Sequence, residues 1–264
     1  MGDAARDWIL VLGASSGFGS AVCRTMAERG YAICGVHLDR RSTVAAAIET
    51  REACENAGAE TLFFNVNAAD AGKRGEVIAG LSERCEPGRL RLLFHSLAFG
   101  SLQPLVGESA RDSARPAQVS MTLDVMASSL VYWTQDLVWA GLLAEGSRIL
   151  AMTSAGSTRA TQAYGMVSAA KAALEAYVRQ LALELGPRRI TVNALRAGVT
   201  DTPALRRIGG HEKMMATAQR LNPGGRLTRP QDVASVVALL TEPGAQWISG
   251  AVIGVDGGED TVAS

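Results

Sequence analysis

The sequence lacks the features that would carry it to a polyanion, a membrane or an oxidising compartment. Charge of one sign is not in excess: 26 basic and 26 acidic side chains among 264 residues leave no field to recruit nucleic acid, which is not expected as a partner. No apolar run approaches the roughly 18 residues that a membrane-spanning helix needs. The opening stretch MGDAARDW has neither the basic nor the apolar segment of a secretory leader, so a soluble, cytoplasmic chain is expected. Cysteine is sparse as well. Cys23, Cys34, Cys54 and Cys85 are scattered without Cys-x-x-Cys spacing, which predicts small buried side chains and argues against disulfide, redox and zinc chemistry; no metal site is expected.

What the sequence does have is core. Hydrophobic residues make up 47% of it, enough for one large domain over 1–264. Short runs rich in Val, Ile, Leu and Phe recur at WILVLGA, YAICGVHL, ETLFFNV, LRLLFHSL, RILAMTS, RITVNAL and AVIGVDG. Each is too short for a buried helix and most are apolar on both faces, the pattern of strands in a parallel sheet. Between them lie segments of helical period: 20–29 ended by Gly30, 43–57 ended by Gly58, and longer ones near 118–145 and 164–185. Alternation of this kind predicts an α/β fold, a single-domain Rossmann-type doubly wound parallel sheet of about seven strands with helices on both faces.

The first strand runs into LGASSGFGS, with Gly13, Gly17 and Gly19 flanking Ser15, Ser16 and Phe18 and a helix opening at the last two glycines. Such a turn lets backbone N–H groups and a helix N-terminus meet a pyrophosphate, so a dinucleotide site is expected here. The second strand ends in VHLDRR. His37 stands where a ribose-binding acid would often be, and Arg40 and Arg41 follow within reach of a 2′-phosphate. NADPH is therefore the expected cofactor, with Asp39 keeping NADH as the alternative. Asn65 and Val66 at the end of the third strand are candidates for the adenine.

YGMVSAAK places Tyr164 and Lys171 seven positions apart at the start of a helix. Seven residues turn an α-helix by about 700°, so the two lie within about 20° of one face and roughly 10 Å apart along the axis. Direct contact is not expected, but a substrate carbonyl and a ribose would fill the gap, because helical side chains lean toward the N-terminus. An ammonium there favours nearby negative charge and makes the phenol a better donor to a developing oxyanion. An aromatic and a surface charge that merely share a face would look the same.

Taken together, the glycine loop, the pair at 164–171 and VDGG near the C-terminus resemble the short-chain dehydrogenase/reductase family over essentially the whole chain. Ordinary members place the tyrosine four residues before the lysine, where this sequence has Val167. The longer spacing, FHSLAFG at 94–100 and LDVMASS at 123–129 are similar to a divergent branch, the enoyl-acyl-carrier-protein reductases. Seventeen residues before the lysine, well-known enoyl reductases carry an aromatic residue and ordinary members a catalytic serine; here it is Ser154, as in an NADPH-preferring subtype of enoyl reductase.

The resemblance implies reduction of the trans-2 double bond of an enoyl thioester, carried by coenzyme A or an acyl carrier protein, with enolate charge arising on the thioester oxygen. Tyr164 and Ser154 would donate to that oxygen, and Lys171 would bind the nicotinamide ribose. Ser96, Leu97 and Ala98 would run beside the ribose. Ala197, Gly198, Val199, Thr200 and Thr202 would lie near the carboxamide and pyrophosphate, with the Val199 backbone pairing with the amide. Asp124 would cap a kink in its helix or join a proton path. A homotetramer built through the helices near 118–145 and 164–185 is also implied.

Residues 200–228 carry Leu205, Ile208, Met214, Met215 and Leu221 at near-helical spacing, which fits either a helical pair on its own core or a substrate lid hinged at Gly209 and Gly210. Arg206, Arg207 and Lys213 could meet a carrier's acidic groups or simply be solvated. Two other activities stay open: a ketoreductase or alcohol dehydrogenase, favoured by Ser154 and opposed by Val167, and a non-catalytic NADPH-binding protein, opposed by the intact Ser154, Tyr164 and Lys171 set.

Overall fold

A computed structural model describes residues 6–262. The first five residues, part of the stretch read for a leader, lie outside the described residues, as do the last two. All seven expected strands form: β1 (Trp8–Leu12), β2 (Ala32–His37), β3 (Thr61–Asn65), β4 (Leu90–His95), β5 (Arg148–Thr153), β6 (Thr191–Ala197) and β7 (Val252–Val255). They make one sheet in the order β3-β2-β1-β4-β5-β6-β7, with every pairing parallel.

The apolar runs are continuous because both faces of the sheet are covered. Along β1, Ile9 and Val11 join a core with Val22 and Met26 of α1 (Gly17–Glu28). Leu10 and Leu12 point the other way, into a core with residues of three further helices. These are Val77 of α3 (Ala71–Ser82), Trp133 of α5 (Ser129–Trp139) and Leu174 of α6 (Gly165–Leu185). The first face also takes Val233 and Val237 of α8 (Pro230–Thr241), while α2 (Val44–Asn56) lies between β2 and β3 in the chain. The buried Trp133 indole donates to the Ala68 carbonyl at 2.8 Å, so its polar edge is satisfied inside the core.

The long segment expected near 118–145 is shorter and less regular than its periodicity suggests. It consists of α4 (Pro116–Leu123), a wide π-helical turn (Asp124–Ser128) and α5, and residues 140–147 form the turn into β5. Gly141, at φ +70°, takes a conformation that the helix cannot continue through. Asp124 opens the π turn and accepts from the Tyr132 hydroxyl at 3.1 Å, which supports the expectation that this acid braces a kink. No described helix is long and apolar enough to cross a membrane. All four cysteines are buried and unpaired.

Strand order reverses between β1 and β4, whose carboxyl ends open a crevice at the point where doubly wound sheets bind ligands.

Candidate active site

The glycine loop turns at the carboxyl end of β1. Gly13 sits at φ +92°, where a side chain is strained, and a Cβ there would collide with the Ser96 carbonyl oxygen. A Cβ at Gly19 would collide with the Gly13 carbonyl. The N–H groups of Gly13 and Ala14 are held by the Val36 carbonyl at 2.8 and 3.1 Å, which fixes the turn against β2. Helix α1 then opens at Gly17, and its N-cap Ser16 makes no side-chain capping bond. Its first N–H groups are thus not used up by a cap, and the bare glycines let a ligand's phosphates approach the backbone. Thr202, buried, brings its methyl against Gly17, so the loop after β6 closes on the same turn.

At the end of β2 the acid that kept NADH open is committed elsewhere. His37, buried, lies 2.9 Å from Asp39 through Nδ1 and Oδ2. Asn65 accepts from the Asp39 N–H at 2.8 Å and donates to its carbonyl at 2.9 Å. Asn65 therefore shapes this turn first, with one amide N–H left for an adenine; Val66 beside it is half-buried. Arg40 and Arg41 are exposed immediately beyond.

The catalytic candidates meet at the carboxyl ends of β4 and β5. Lys171 is 5% exposed, and its ammonium donates to the carbonyls of Met152 at 2.8 Å and Leu97 at 3.4 Å. Burial pushes its pKa down to about 8, against an opposing pull from the Glu175 carboxylate one turn on. Glu175 is itself oriented by a 2.6 Å hydrogen bond from the Thr153 hydroxyl. Tyr164 begins α6, and Ala163 before it takes the left-handed φ of +58°, a local strain of the kind found where a side chain must be aimed.

Gly156 brings the tyrosine and the serine together. A Cβ there would lie 2.6 Å from Cε1 of the Tyr164 ring and 3.2 Å from the Ser154 oxygen. Burial raises the phenol's pKa, and the Ser154 hydroxyl pulls it the other way. That contact stops short of full hydrogen-bond geometry, leaving the buried Ser154 oxygen without a complete partner. Val167 is 4% exposed and lies against the backbone of Gly100 beside Met126 and Thr122. The position that ordinary members give to tyrosine is thus part of the core.

In the loop after β6, whose Val199 backbone is expected to pair with a carboxamide, the Val199 N–H donates to the Glu259 carboxylate at 3.1 and 3.2 Å. Thr200 donates to the Gly198 carbonyl at 2.9 Å, and Thr202 accepts from the Leu205 N–H at 3.2 Å. Sequence reasoning missed Glu259, Glu175 and His95. No local motif marks them, since Glu259 meets Val199 across sixty residues.

A sequence model described as enoyl-(acyl carrier protein) reductase matches residues 13–259. The chain belongs to the short-chain dehydrogenase/reductase family. Among its relatives, an NADH-type enoyl-[acyl-carrier-protein] reductase of Nostoc sp. is 36% identical over 171 residues, 65% of this chain and 65% of that one. A 1-cyclohexenylcarbonyl-CoA reductase of Streptomyces collinus is 28% identical over 96% of this chain and 87% of its own. A cis-4-hydroxycyclohexanecarboxylate dehydrogenase of Sinomonas cyclohexanicum is 30% identical over 99% of this chain and all of its own. The crystal structure of a dehydrogenase/reductase from Sinorhizobium meliloti superposes with a TM-score of 0.84 at 26% identity, covering 98% of this chain and 96% of that one. The family binds a nicotinamide cofactor, and the bare glycine turn and uncapped helix of this chain fit its pyrophosphate.

Phe99, Leu105 and Val106 are exposed apolar side chains, and Leu105 packs on Gly165, the residue after Tyr164. The segment expected as a lid holds a short turn (Leu205–Arg207) and α7 (His211–Leu221), of which only Ala218 is buried. Leu205, Ile208, Met214, Met215 and Leu221 are all half-buried. Arg206 pairs with Asp201 at 2.8 Å, whereas Arg207 and Lys213 are exposed.

Proposed function

We propose that this oxidoreductase is an NADPH-dependent reductase of the double bond of an enoyl thioester, carried by coenzyme A or an acyl carrier protein. The observation that carries the reading is the position of the phenol: Tyr164, seven residues before Lys171, lies beside Ser154, while Val167 is buried. Leu105, exposed and packed on Gly165 next to Tyr164 in the chain, suits an acyl chain. The similarity to a reductase whose substrate name describes an alkene conjugated to a coenzyme A thioester supports the same chemistry. Arg40 and Arg41, exposed where Asp39 is turned away, support NADPH.

When bound, the cofactor supplies hydride; the protein's residues manage charge and position. Tyr164 donates its hydroxyl proton in a hydrogen bond to the thioester oxygen as negative charge builds there, and Ser154, with an uncommitted buried hydroxyl, gives a second. Lys171 holds the ribose and adds positive potential from a site too dry to screen it. Each donor is worth about 3 kcal/mol to the developing oxyanion, so loss of Tyr164 lowers turnover about 100-fold or more.

A second reading, carbonyl reduction, is favoured by the Ser154–Tyr164 proximity and by the similarity to a hydroxycyclohexanecarboxylate dehydrogenase. NADPH oxidation with crotonyl and acetoacetyl thioesters in parallel, repeated with Tyr164→Phe, separates the two. Turnover on the enoyl substrate that collapses in the variant is expected; turnover on the keto substrate alone sinks the first reading. The same reading includes a homotetramer packed through α5 and α6, where Trp139 and Leu183 are 73% and 72% exposed, and a monomer in sedimentation would refute it.

A further inference from the structure

His95, the last residue of β4, is fully buried and takes no part in the mechanism above. Strand alternation turns it to the face occupied by α5 and α6, since Phe94 before it joins the opposite core. Its Nε2 lies 2.8 Å from the Ser129 hydroxyl, which in turn lies 2.7 Å from the Val125 carbonyl in the π turn. A carbonyl only accepts, so Ser129 spends its proton on Val125 and must accept from His95. The ring is thereby fixed with its proton on Nε2. Nδ1 is left as a bare lone pair, buried, with no hydrogen-bond partner.

That lone pair lies in the neighbourhood of the Lys171 ammonium. β4 and β5 pair His95 with Ala151, next to Met152, whose carbonyl holds Lys171. Two residues after His95, the Leu97 carbonyl receives the lysine's second and longer contact, 3.4 Å. Burial and the nearby ammonium depress the imidazole's pKa to about 3, so it is neutral near pH 7. The titratable groups of the surrounding elements are few. They are Lys171, Glu175 and Tyr177 on α6, Tyr164 ahead of it, the bonded pair Asp124 and Tyr132 on the π turn and α5, and Asp136 of α5 with its partner Arg74. The carboxyl halves of β1, β4 and β5 bring no other.

We propose that His95 is a positioning residue for Lys171: its Nδ1, aimed by the Ser129–Val125 chain, accepts from one ordered water that in turn accepts an N–H of the ammonium. A neutral acceptor in a dry pocket favours the charged lysine without adding a competing charge, which keeps the ammonium formed and aimed at the ribose. The inference rests on the assignment of Lys171 to the ribose, but holds for enoyl or keto substrates alike.

The test compares the alkaline limb of the kcat profile in the wild type, His95→Phe, which fills the space without an acceptor, and His95→Asn, whose amide restores one. The limb is expected to fall by about one pH unit in His95→Phe, a tenfold change in the proton concentration at half activity, and to return toward the wild type in His95→Asn. Coincident limbs in all three overturn the proposal. Nitrogen-15 NMR of the histidines in the wild-type enzyme keeps it falsifiable if His95→Phe does not fold. A His95 ring protonated at Nε2 from pH 5 to 9, with an Nδ1 shift that follows Lys171 titration and ceases to do so in Lys171→Met, is expected; an Nδ1–H tautomer or an unresponsive shift overturns it. If Lys171→Met retains full turnover, the assignment of Lys171 itself fails, whatever the His95 variants do.

Discussion

Lys171 donates to the Met152 carbonyl at 2.8 Å from a position only 5% exposed. The lysine thus carries its charge into the core, where desolvation brings its pKa to about 8. An unfolded chain holds that proton to a pH of about 10.4. Because the folded value is the lower one, the contribution to stability is fully present above the unfolded pKa and is lost as pH falls through about 8. Between those values the wild type should gain on Lys171→Met by up to about 3 kcal/mol. Urea midpoints for both proteins across this window check the sign. Parallel curves would show that the lysine is not desolvated as the structure has it.

Gly156 has space for a hydrogen and nothing larger. The Cβ of an alanine would lie 2.6 Å from Cε1 and 3.0 Å from Cδ1 of Tyr164, so the ring must move away from Ser154. Gly156→Ala is expected to lower kcat about tenfold or more, with cofactor affinity and melting temperature little changed, because a misplacement of a fraction of an ångström at the reacting group is costly while the surrounding core is untouched. Unchanged kcat in a folded variant would remove Tyr164 from the chemistry.

In the proposed reading, the guanidinium groups of Arg40 and Arg41 separate the two nicotinamide cofactors. A charge-assisted contact to a 2′-phosphate contributes about 1.5–3 kcal/mol, or roughly 10- to 100-fold in affinity. Replacing both arginines by alanine should raise the Kd for NADPH by that factor and leave NADH almost untouched. Titration calorimetry with each cofactor decides it, and an equal loss for both would assign the arginines to a general electrostatic role.

How much of this was legible in the sequence follows from the range of each interaction. The seven strands stand out because a sheet buried on both faces needs continuous apolar runs, and the turn at Gly13–Gly19 because backbone collisions exclude side chains there. Tyr164 caps the N-terminus of the helix that carries Lys171, so the pair is local in the chain and its spacing is readable. Other features depend on partners that are distant in the chain: the Asp39 backbone held by Asn65, His95 oriented by Ser129, Val199 capped by Glu259. No local period encodes them. The π turn was visible only as an expected kink at Asp124, since the apolar pattern runs through it without a break.

Glu259 supplies the last test, because its charge and its hydrogen bond pull in opposite directions. Burial raises the carboxyl's pKa, and Asp256 and Asp260 add to the effect against the bonds from Val199 and Asn222. A raised folded value means that stability from this group is fully present below the unfolded pKa and is lost as pH rises through the folded one. Wherever the carboxyl is ionised its charge is therefore a liability, while the acceptor for the Val199 N–H remains an asset. Glu259→Gln keeps the acceptor without the charge and should match or exceed the wild type in melting temperature. Glu259→Ala leaves the N–H unpaired and should lose about 1–3 kcal/mol, with faster amide exchange at Val199. Equal destabilisation by both variants would mean that the carboxylate's charge, and not its role as an acceptor, holds the cofactor loop in place.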